Sequence, residues 1–218
     1  MAGSRWEWLA PVGGIAFVAL TIASFALLSL PAYGASEQTV ATYFVHHHRL
    51  VLVASSLEGL ALVAFLLFLG GLANALRAVG QGELATVAFG GGLLGLAIGA
   101  VGTIIITALS LRVARDDPSL AKGVYDLRAA SSTFLAFPLA ALAIATALAM
   151  RRGRLRPAVY GALSLATGLV TLGRGGALAH SGFYSPGGGY GFYTSILILL
   201  WVLMTSLVLG FGGPAAKE

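Results

Sequence analysis

The sequence contains no cysteine and few charged residues. Without cysteine, disulfides, thiolate metal sites, iron–sulfur clusters and cysteine nucleophiles are all excluded. Charged residues make up 10% of the 218 positions, whereas soluble domains carry about 25%. Hydrophobic residues make up 58%, so the lipid bilayer is the solvent for most of the chain. The composition therefore predicts an integral membrane protein whose first partner is the bilayer.

Several motifs of enzymes and nucleotide-binding proteins are also missing. The sequence has no HExxH zinc motif, no GxSxG nucleophile motif and no GxxxxGK[ST] phosphate loop. These absences weaken hydrolase and phosphate-loop interpretations, so a function other than catalysis is favoured and no cofactor is predicted, with a metal-dependent enzyme kept as an alternative. The net charge of +5 comes from Lys and Arg in short loops between apolar runs. That distribution is a topology signal rather than a nucleic-acid patch, so no nucleic-acid partner is expected.

Six apolar runs follow one another along the chain, and each has the length of one membrane crossing. Only closed backbone hydrogen bonding is viable in lipid, so each run is predicted to be a helix. The prediction is an all-α, polytopic protein with one six-helix transmembrane domain over residues 1–218. The runs are Trp8 to Leu30, Leu50 to Leu72, Leu84 to Leu111, Ala129 to Met150, Ala158 to Leu178, and Phe192 to Leu209.

The orientation follows from one arginine-rich loop. The segment 151–156 reads RRGRLR, with four arginines in six residues between two runs. Dense positive charge on a short loop resists translocation. The opposite loop, Arg112 to Arg128, dilutes its basic residues with aspartates. We therefore predict a multi-pass protein of the cytoplasmic membrane with both termini in the cytoplasm.

Glu58 is the acid placed deepest in an apolar run. It lies nine residues beyond Arg49, roughly 13 Å along a helix and close to the middle of the hydrocarbon layer. An intramembrane carboxyl is a functional-site hypothesis by default. Its candidate partners are Ser55, one turn earlier, and Arg174, whose long side chain could reach inward. Two alternatives stay open: a neutral, hydrogen-bonded Glu58, or a pair with Arg174.

The third run carries glycine at Gly91, Gly95 and Gly99. Small residues at a four-residue spacing let a neighbouring helix approach closely. The pattern favours a contact with another helix of the same chain, and a homo-oligomer contact is the alternative.

All four histidines fall on the predicted outer side: His46, His47, His48 and His180. Three imidazoles could hold zinc or copper. Adjacent histidines on a helix fan apart by about 100°, however, so few of the triplet can reach one ion. Solvated histidines are the favoured interpretation, and a metal site is the alternative.

The last outer loop is rich in glycine and aromatic residues. Phe183, Tyr184 and Tyr190 lie within the segment GFYSPGGGYGFY. These residues are candidates for a lid over the outer mouth of the bundle, and an ordinary hairpin between helices is the simpler alternative.

Several segments resemble a known group of proteins. These are YFVHHHRL followed by SLEGLALVAFLLFLGGLANALR, the arginine-rich turn after the fourth run, and GFYSPGGGYGFYTSILILLWVLMTSLVLG. Together they resemble uncharacterised actinobacterial six-helix integral membrane proteins. The resemblance implies the six-helix fold and carries no activity with it. The histidine triplet departs from the single histidine of that group.

Three functions follow from these features. The leading one is transport, or the binding of a small hydrophobic or ionic ligand, with Glu58 as the buried polar site. The second is an accessory or oligomer-forming subunit that packs through the glycine row. The third is a metal-dependent membrane enzyme that uses the outer histidines.

Overall fold

The computed structural model describes residues 8–152, 158–177, 179, 182–186 and 188–211. Within these ranges the chain is helical, without a strand, so the all-α prediction is confirmed. The helices are α1 Leu9–Leu27, α2 Glu37–His46, α3 His48–Ala78, α4 Gly82–Ala108, α5 Ala114–Asp116, α6 Pro118–Phe134, α7 Ala136–Arg152, α8 Ala158–Arg174 and α9 Gly189–Phe211, with a π-helical turn Leu109–Val113 between α4 and α5.

Five helical segments in the described ranges are long and apolar enough to cross a membrane. They are Leu9–Leu27, His48–Ala78, Gly82–Asp116, Pro118–Arg152 and Gly189–Gly210. The chain is thus a multi-pass membrane protein. The predicted count of six spans is not confirmed. The remaining long helix, α8, has 17 residues, or about 26 Å at 1.5 Å per residue.

The six longest helical units form a closed ring. Helix α1 packs against α3, α3 against α4, α4 against α7, α7 against α8, α8 against α9, and α9 against α1. The ring encloses a core of large apolar side chains from α3, α7 and α9, among them Phe68, Leu72, Leu142 and Trp201. The first and last helices of the chain are therefore neighbours.

Glycine residues allow the closest contacts between helices. A Cβ atom built on Gly71 of α3 would lie 1.9 Å from Ala10 Cβ of α1. A Cβ on Gly14 of α1 would lie 1.9 Å from Ser206 Oγ of α9. No side chain fits at either position, so glycine is required for α1 to lie against both neighbours.

The predicted glycine row of α4 faces α7 of the same chain. A Cβ on Gly91 would lie 2.7 Å from the Pro138 carbonyl oxygen, and one on Gly95 would lie 3.0 Å from a Leu139 methyl group. A Cβ on Gly99 meets only a Leu62 methyl group at 3.7 Å. The close contact is thus made by Gly91 and Gly95, while Gly99 has room.

The predicted loop Arg112 to Arg128 is helical instead, and this is a correction. Asp117 caps α6 by accepting backbone N–H bonds from Ser119 (2.9 Å) and Leu120 (3.1 Å), and Pro118 fills the first helical position. These are strong start signals for a helix. The buried residues Ala121, Tyr125 and Ala129 follow at four-residue spacing, which is a helical pattern that the charged residues obscured.

Helix α6 continues into α7 through a break at Leu135. Pro138 lies one turn later and has no N–H to donate back to the Phe134 carbonyl, which weakens the helix at this point. The bond from Leu139 N to Leu135 O is correspondingly long, at 3.4 Å. The fourth run, Ala129 to Met150, therefore covers the last part of α6 and most of α7 within a 35-residue helical unit.

A second core lies at the end of the bundle that carries α2, which we call the α2 end. It joins α2 to α6 and to the π-helical turn through Val40, Phe44, Leu109 and Tyr125. The Tyr125 hydroxyl donates to the Pro31 carbonyl oxygen over 2.6 Å. These contacts hold α6 against the segment that follows α1, and so fix the position of the Arg128 side chain one turn further along.

Candidate functional site

Glu58 lies on α3 with one carboxylate oxygen buried. Its Oε1 atom has no hydrogen-bond partner among the described residues. The neighbouring Ser24 of α1 interacts with this carboxyl group. The single hydroxyl hydrogen of Ser24, however, is directed to the Ala54 carbonyl oxygen, 3.1 Å away. Ser24 therefore approaches Glu58 without satisfying Oε1.

Two further hydroxyl groups near Glu58 also lack a hydrogen-bond partner, one on α3 and one on α1. Ser55 precedes Glu58 by three residues, and Thr21 precedes Ser24 by three residues on the facing helix. Their Oγ atoms are buried without a hydrogen-bond partner in the described chain. Buried polar atoms without partners are costly and rare in folded proteins. The α1–α3 contact thus contains three polar atoms that lack partners.

Arg128 of α6, which was not among the predicted site residues, interacts electrostatically with Glu58. Arg128 and Glu58 are within Coulombic range of each other. Their charged atoms are nevertheless more than 4.0 Å apart, since Lys122–Asp126 is the ion pair found among the described residues. The Asp117 cap and Pro118 were the signals for α6, and a helix beginning there places Arg128 on the side of Ala121 and Tyr125.

Arg174, the predicted partner of Glu58, binds elsewhere. It lies at the last residue of α8 and donates from Nη1 to Ser195 Oγ of α9 over 3.0 Å. Ser195 Oγ in turn donates to the Gly191 carbonyl oxygen over 2.8 Å. Arg174 makes no ion pair with Glu58 within 4.0 Å. It does interact electrostatically with Arg128.

These side chains define what we call the polar cluster: Ser24, Ser55, Glu58, Arg128, Arg174 and Ser195. They come from α1, α3, α6, α8 and α9, and what links them is the Arg174–Ser195 hydrogen bond together with the electrostatic interactions of Arg128 with Glu58 and Arg174. It contains two guanidinium groups and one carboxyl group. With all three ionised, the cluster carries an excess of one positive charge inside an apolar bundle, where charges are expensive.

The inner face of α8 is polar along its length. Tyr160, Ser164, Thr167 and Thr171 are buried and recur at the spacing of one helix face. Ser164 Oγ accepts the indole N–H of Trp201 over 2.9 Å, and the Tyr160 hydroxyl is hydrogen-bonded to Thr205 Oγ1. The Oγ1 atoms of Thr167 and Thr171 have no partner in the part of the chain that the structure describes.

The histidine triplet is engaged with the chain rather than gathered around one point. His46 Nδ1 lies 2.8 Å from the Thr42 carbonyl oxygen and His47 Nδ1 lies 3.0 Å from that of Tyr43. His48 Nδ1 lies 2.9 Å from the Ser110 carbonyl oxygen and 3.0 Å from its Oγ. No group of three potential metal ligands occurs among the residues described. His180 lies outside those residues.

The candidate lid residues pack on one another beside α8. Ring centroids are 5.1 Å apart for Phe183 and Tyr184, and 5.4 Å apart for Tyr184 and Tyr190. The Tyr190 hydroxyl donates to the Val170 carbonyl oxygen over 2.9 Å, one turn before Arg174. The aromatic group therefore lies against the end of α8 that carries Arg174.

Two cavities on the described helices are lined by residues other than Glu58. One of about 150 Å³ lies between α1 and α9 and is apolar. The other, of about 430 Å³, lies at the opposite end of the bundle from the polar cluster and includes Arg151. The side chains of Glu58, Arg128 and Arg174 are half-buried.

Comparison with known proteins gives no relative. No protein-family model, no curated protein and no solved structure matches the chain. The resemblance to actinobacterial six-helix membrane proteins therefore stays a prediction.

Proposed function

We propose that this protein binds a small anionic ligand at the polar cluster, in a membrane transport or ligand-binding role. The observation that carries the proposal is that the buried Glu58 Oε1 atom has no partner, although Arg128 and Arg174 lie in the same cluster. Polar groups held inside a membrane bundle at such cost mark substrate and ion sites.

The charge balance supports an anion. The two guanidinium groups outnumber the one carboxyl group, and no carboxylate of the described residues lies within 4.0 Å of either. A carboxylate or phosphate accepts two parallel N–H bonds from arginine. Such a group placed between Arg128 and Arg174 would relieve their mutual repulsion. Glu58, Ser24 and Ser55 would then contact the polar remainder of the ligand.

The fold proposed for this function is a six-helix bundle in the cytoplasmic membrane, with both termini in the cytoplasm. In that arrangement α8 is the fifth crossing, and its buried polar face supports a position inside the ring. The aromatic residues Phe183, Tyr184 and Tyr190 lie against the end of α8 that carries Arg174 and are the proposed lid at the α2 end.

Thermal unfolding of the purified full-length protein in detergent tests the proposal. Sodium acetate or sodium phosphate is compared with sodium chloride at equal ionic strength. Because a ligand that binds only the folded state stabilises it by mass action, at 100 times Kd by about 2.7 kcal/mol, one of the two anions should raise the midpoint. The rise should disappear in Arg128→Gln and persist in Arg49→Gln, where the arginine is exposed. Equal midpoints in all three salts would refute an anion site of this kind.

A further inference from the structure

A cavity that is lined by one arginine and by apolar side chains lies towards the end of the bundle opposite the polar cluster. Arg151, in the last turn of α7, is exposed and lines a cavity of about 430 Å³. The other lining residues all belong to α8: Ala162, Leu165, Ala166 and Leu169. The volume falls within the range of about 300–1,000 Å³ found for ligand sites.

Gly161 lets Arg151 lie along α8. A Cβ built on Gly161 would lie 3.2 Å from the Arg151 Cγ atom, so the arginine stem occupies the space beside this glycine. Arg151 forms no ion pair within 4.0 Å with any carboxylate of the described ranges. Its methylene groups therefore rest on the helix while the guanidinium group stays available at the membrane edge.

The cavity faces lipid rather than the bundle interior. Its lining residues are two, five, six and nine positions after Tyr160, which places them about 180° around α8 from the buried face that contains Ser164 and Thr167. Ala162 and Ala166 are exposed and one turn apart, and their small side chains leave a depression along the helix. A lipid chain is the molecule that this surface meets in a membrane.

We propose that this cavity binds one anionic phospholipid. Its phosphate group accepts hydrogen bonds from the Arg151 guanidinium group, and one acyl chain lies along α8 from Ala162 to Leu169. Arginine binds phosphate with two parallel hydrogen bonds, and basic pockets between membrane helices bind anionic headgroups on the cytoplasmic side. The arginine-rich segment 151–156 is predicted to lie on that side. The site shares no residue with the polar cluster, so it stands independently of the proposed function.

Native mass spectrometry of the full-length protein tests whether the cavity prefers an anionic headgroup. The protein is released from micelles containing phosphatidylglycerol and phosphatidylcholine with identical acyl chains. Phosphatidylglycerol should be retained preferentially, and Arg151→Gln should reduce its retention about five-fold, as expected for one basic residue at a lipid surface. Arg77→Gln is the matched control, because Arg77 is an exposed arginine in the last turn of α3 and does not line the cavity. Equal retention of both lipids, or no effect of Arg151→Gln, would overturn the proposal.

A second variant tests whether the acyl chain lies along α8. Ala166→Phe fills the depression with Arg151 intact, and it should also reduce phosphatidylglycerol retention, whereas Leu172→Phe, on the exposed surface outside the cavity, should not. Thermal unfolding verifies that both variants are folded. If inorganic phosphate binds in an Arg151-dependent way and Ala166→Phe changes nothing, the cavity holds a free anion and the lipid assignment is wrong.

Discussion

Trp201 of α9 donates its indole N–H to Ser164 Oγ of α8 over 2.9 Å, and both side chains are buried. Trp201 lies near the middle of α9, where a buried indole N–H needs a hydrogen-bond partner. Together with the hydrogen bond between Tyr160 and Thr205, this bond fixes the antiparallel register of α8 and α9.

Removal of the Ser164 hydroxyl should destabilise the protein. Ser164→Ala leaves the buried indole N–H without a partner, at a cost of about 1–3 kcal/mol. Thermal unfolding in detergent should show a lower midpoint for Ser164→Ala and an unchanged one for Ser56→Ala, since Ser56 is exposed and bonds only to its own helix. Matching midpoints for Ser164→Ala and the parent would contradict this role of the bond.

Paired glycine substitutions test the helix contacts. Gly71→Ala would bring a methyl group into Ala10 Cβ, whereas an added Cβ at Gly70 meets nothing within 4 Å. Gly91 and Gly90 form a second pair of the same kind on α4. We expect Gly71→Ala and Gly91→Ala to lower the unfolding midpoint, while Gly70→Ala and Gly90→Ala leave it unchanged or raise it slightly through better helix propensity. No difference within either pair would remove the close-packing argument.

A double-mutant cycle distinguishes the partner of Glu58. Because Arg128 is within Coulombic range of Glu58 and Arg174 is bound to Ser195, Glu58→Gln should couple to Arg128→Gln. Coupling energies for interacting residues are about 0.5–3 kcal/mol. The cycle of Glu58→Gln with Arg174→Gln should be nearly additive. The reverse result, with strong coupling to Arg174 alone, would restore the pair considered from the sequence.

The cap of α6 should weaken in acid. Backbone N–H donation from Leu120, with further bonds from Ser119, lowers the pKa of Asp117 below its ordinary value. The cap is therefore fully stabilising above the pKa of the unfolded chain, about 3.9, and this contribution is lost as the pH falls through the lower folded value. The protection factor of the Leu120 amide, that is, its exchange rate relative to the intrinsic rate at the same pH, should fall as the pH drops through the folded pKa of Asp117. In Asp117→Asn, which caps without a charge, this pH dependence should vanish; a parent-like pH profile in this variant would contradict the assignment.

Single-cysteine labelling tests the predicted orientation. The chain has no cysteine, so a cysteine introduced at Gly153, outside the described residues, is the only thiol. We expect it to be protected from an impermeant thiol reagent in intact cells, because the arginine-rich loop is predicted to be cytoplasmic. A cysteine at Gln38, near the start of α2, should be labelled if the α2 end is outside. Labelling at Gly153 in intact cells would reverse the predicted orientation.

Apolar length was enough to predict the all-helical fold and several of its long helices, but not the number of spans or the contacts of Glu58. The runs that begin at Trp8, Leu50 and Phe192 correspond to α1, α3 and α9, because twenty apolar residues have few alternatives in lipid. Arg128 was missed because the charged residues of α6 led to the prediction of a loop there. The Glu58–Arg174 hypothesis relied on depth along two helices, and depth alone could not reveal that Ser195 lies closer to Arg174. Which side chains meet depends on how each helix is rotated about its axis within the ring, and hydropathy does not encode that rotation.

The adjacency of α1 and α9 has a consequence for biosynthesis. The chain enters the membrane from its N-terminus, so α1 and α3 can associate early, while the opposite side of α1 waits for the last helix to be made. Until then Gly14 has no Ser206 beside it, and the inner polar face of α8 lacks Trp201 and Thr205. A chain that stops before α9 would leave these groups exposed to lipid, where unsatisfied polar atoms are disfavoured. Packing of α9 against α1 and α8 therefore supplies the hydrogen-bond partners of Tyr160 and Ser164 and completes the contact at Gly14.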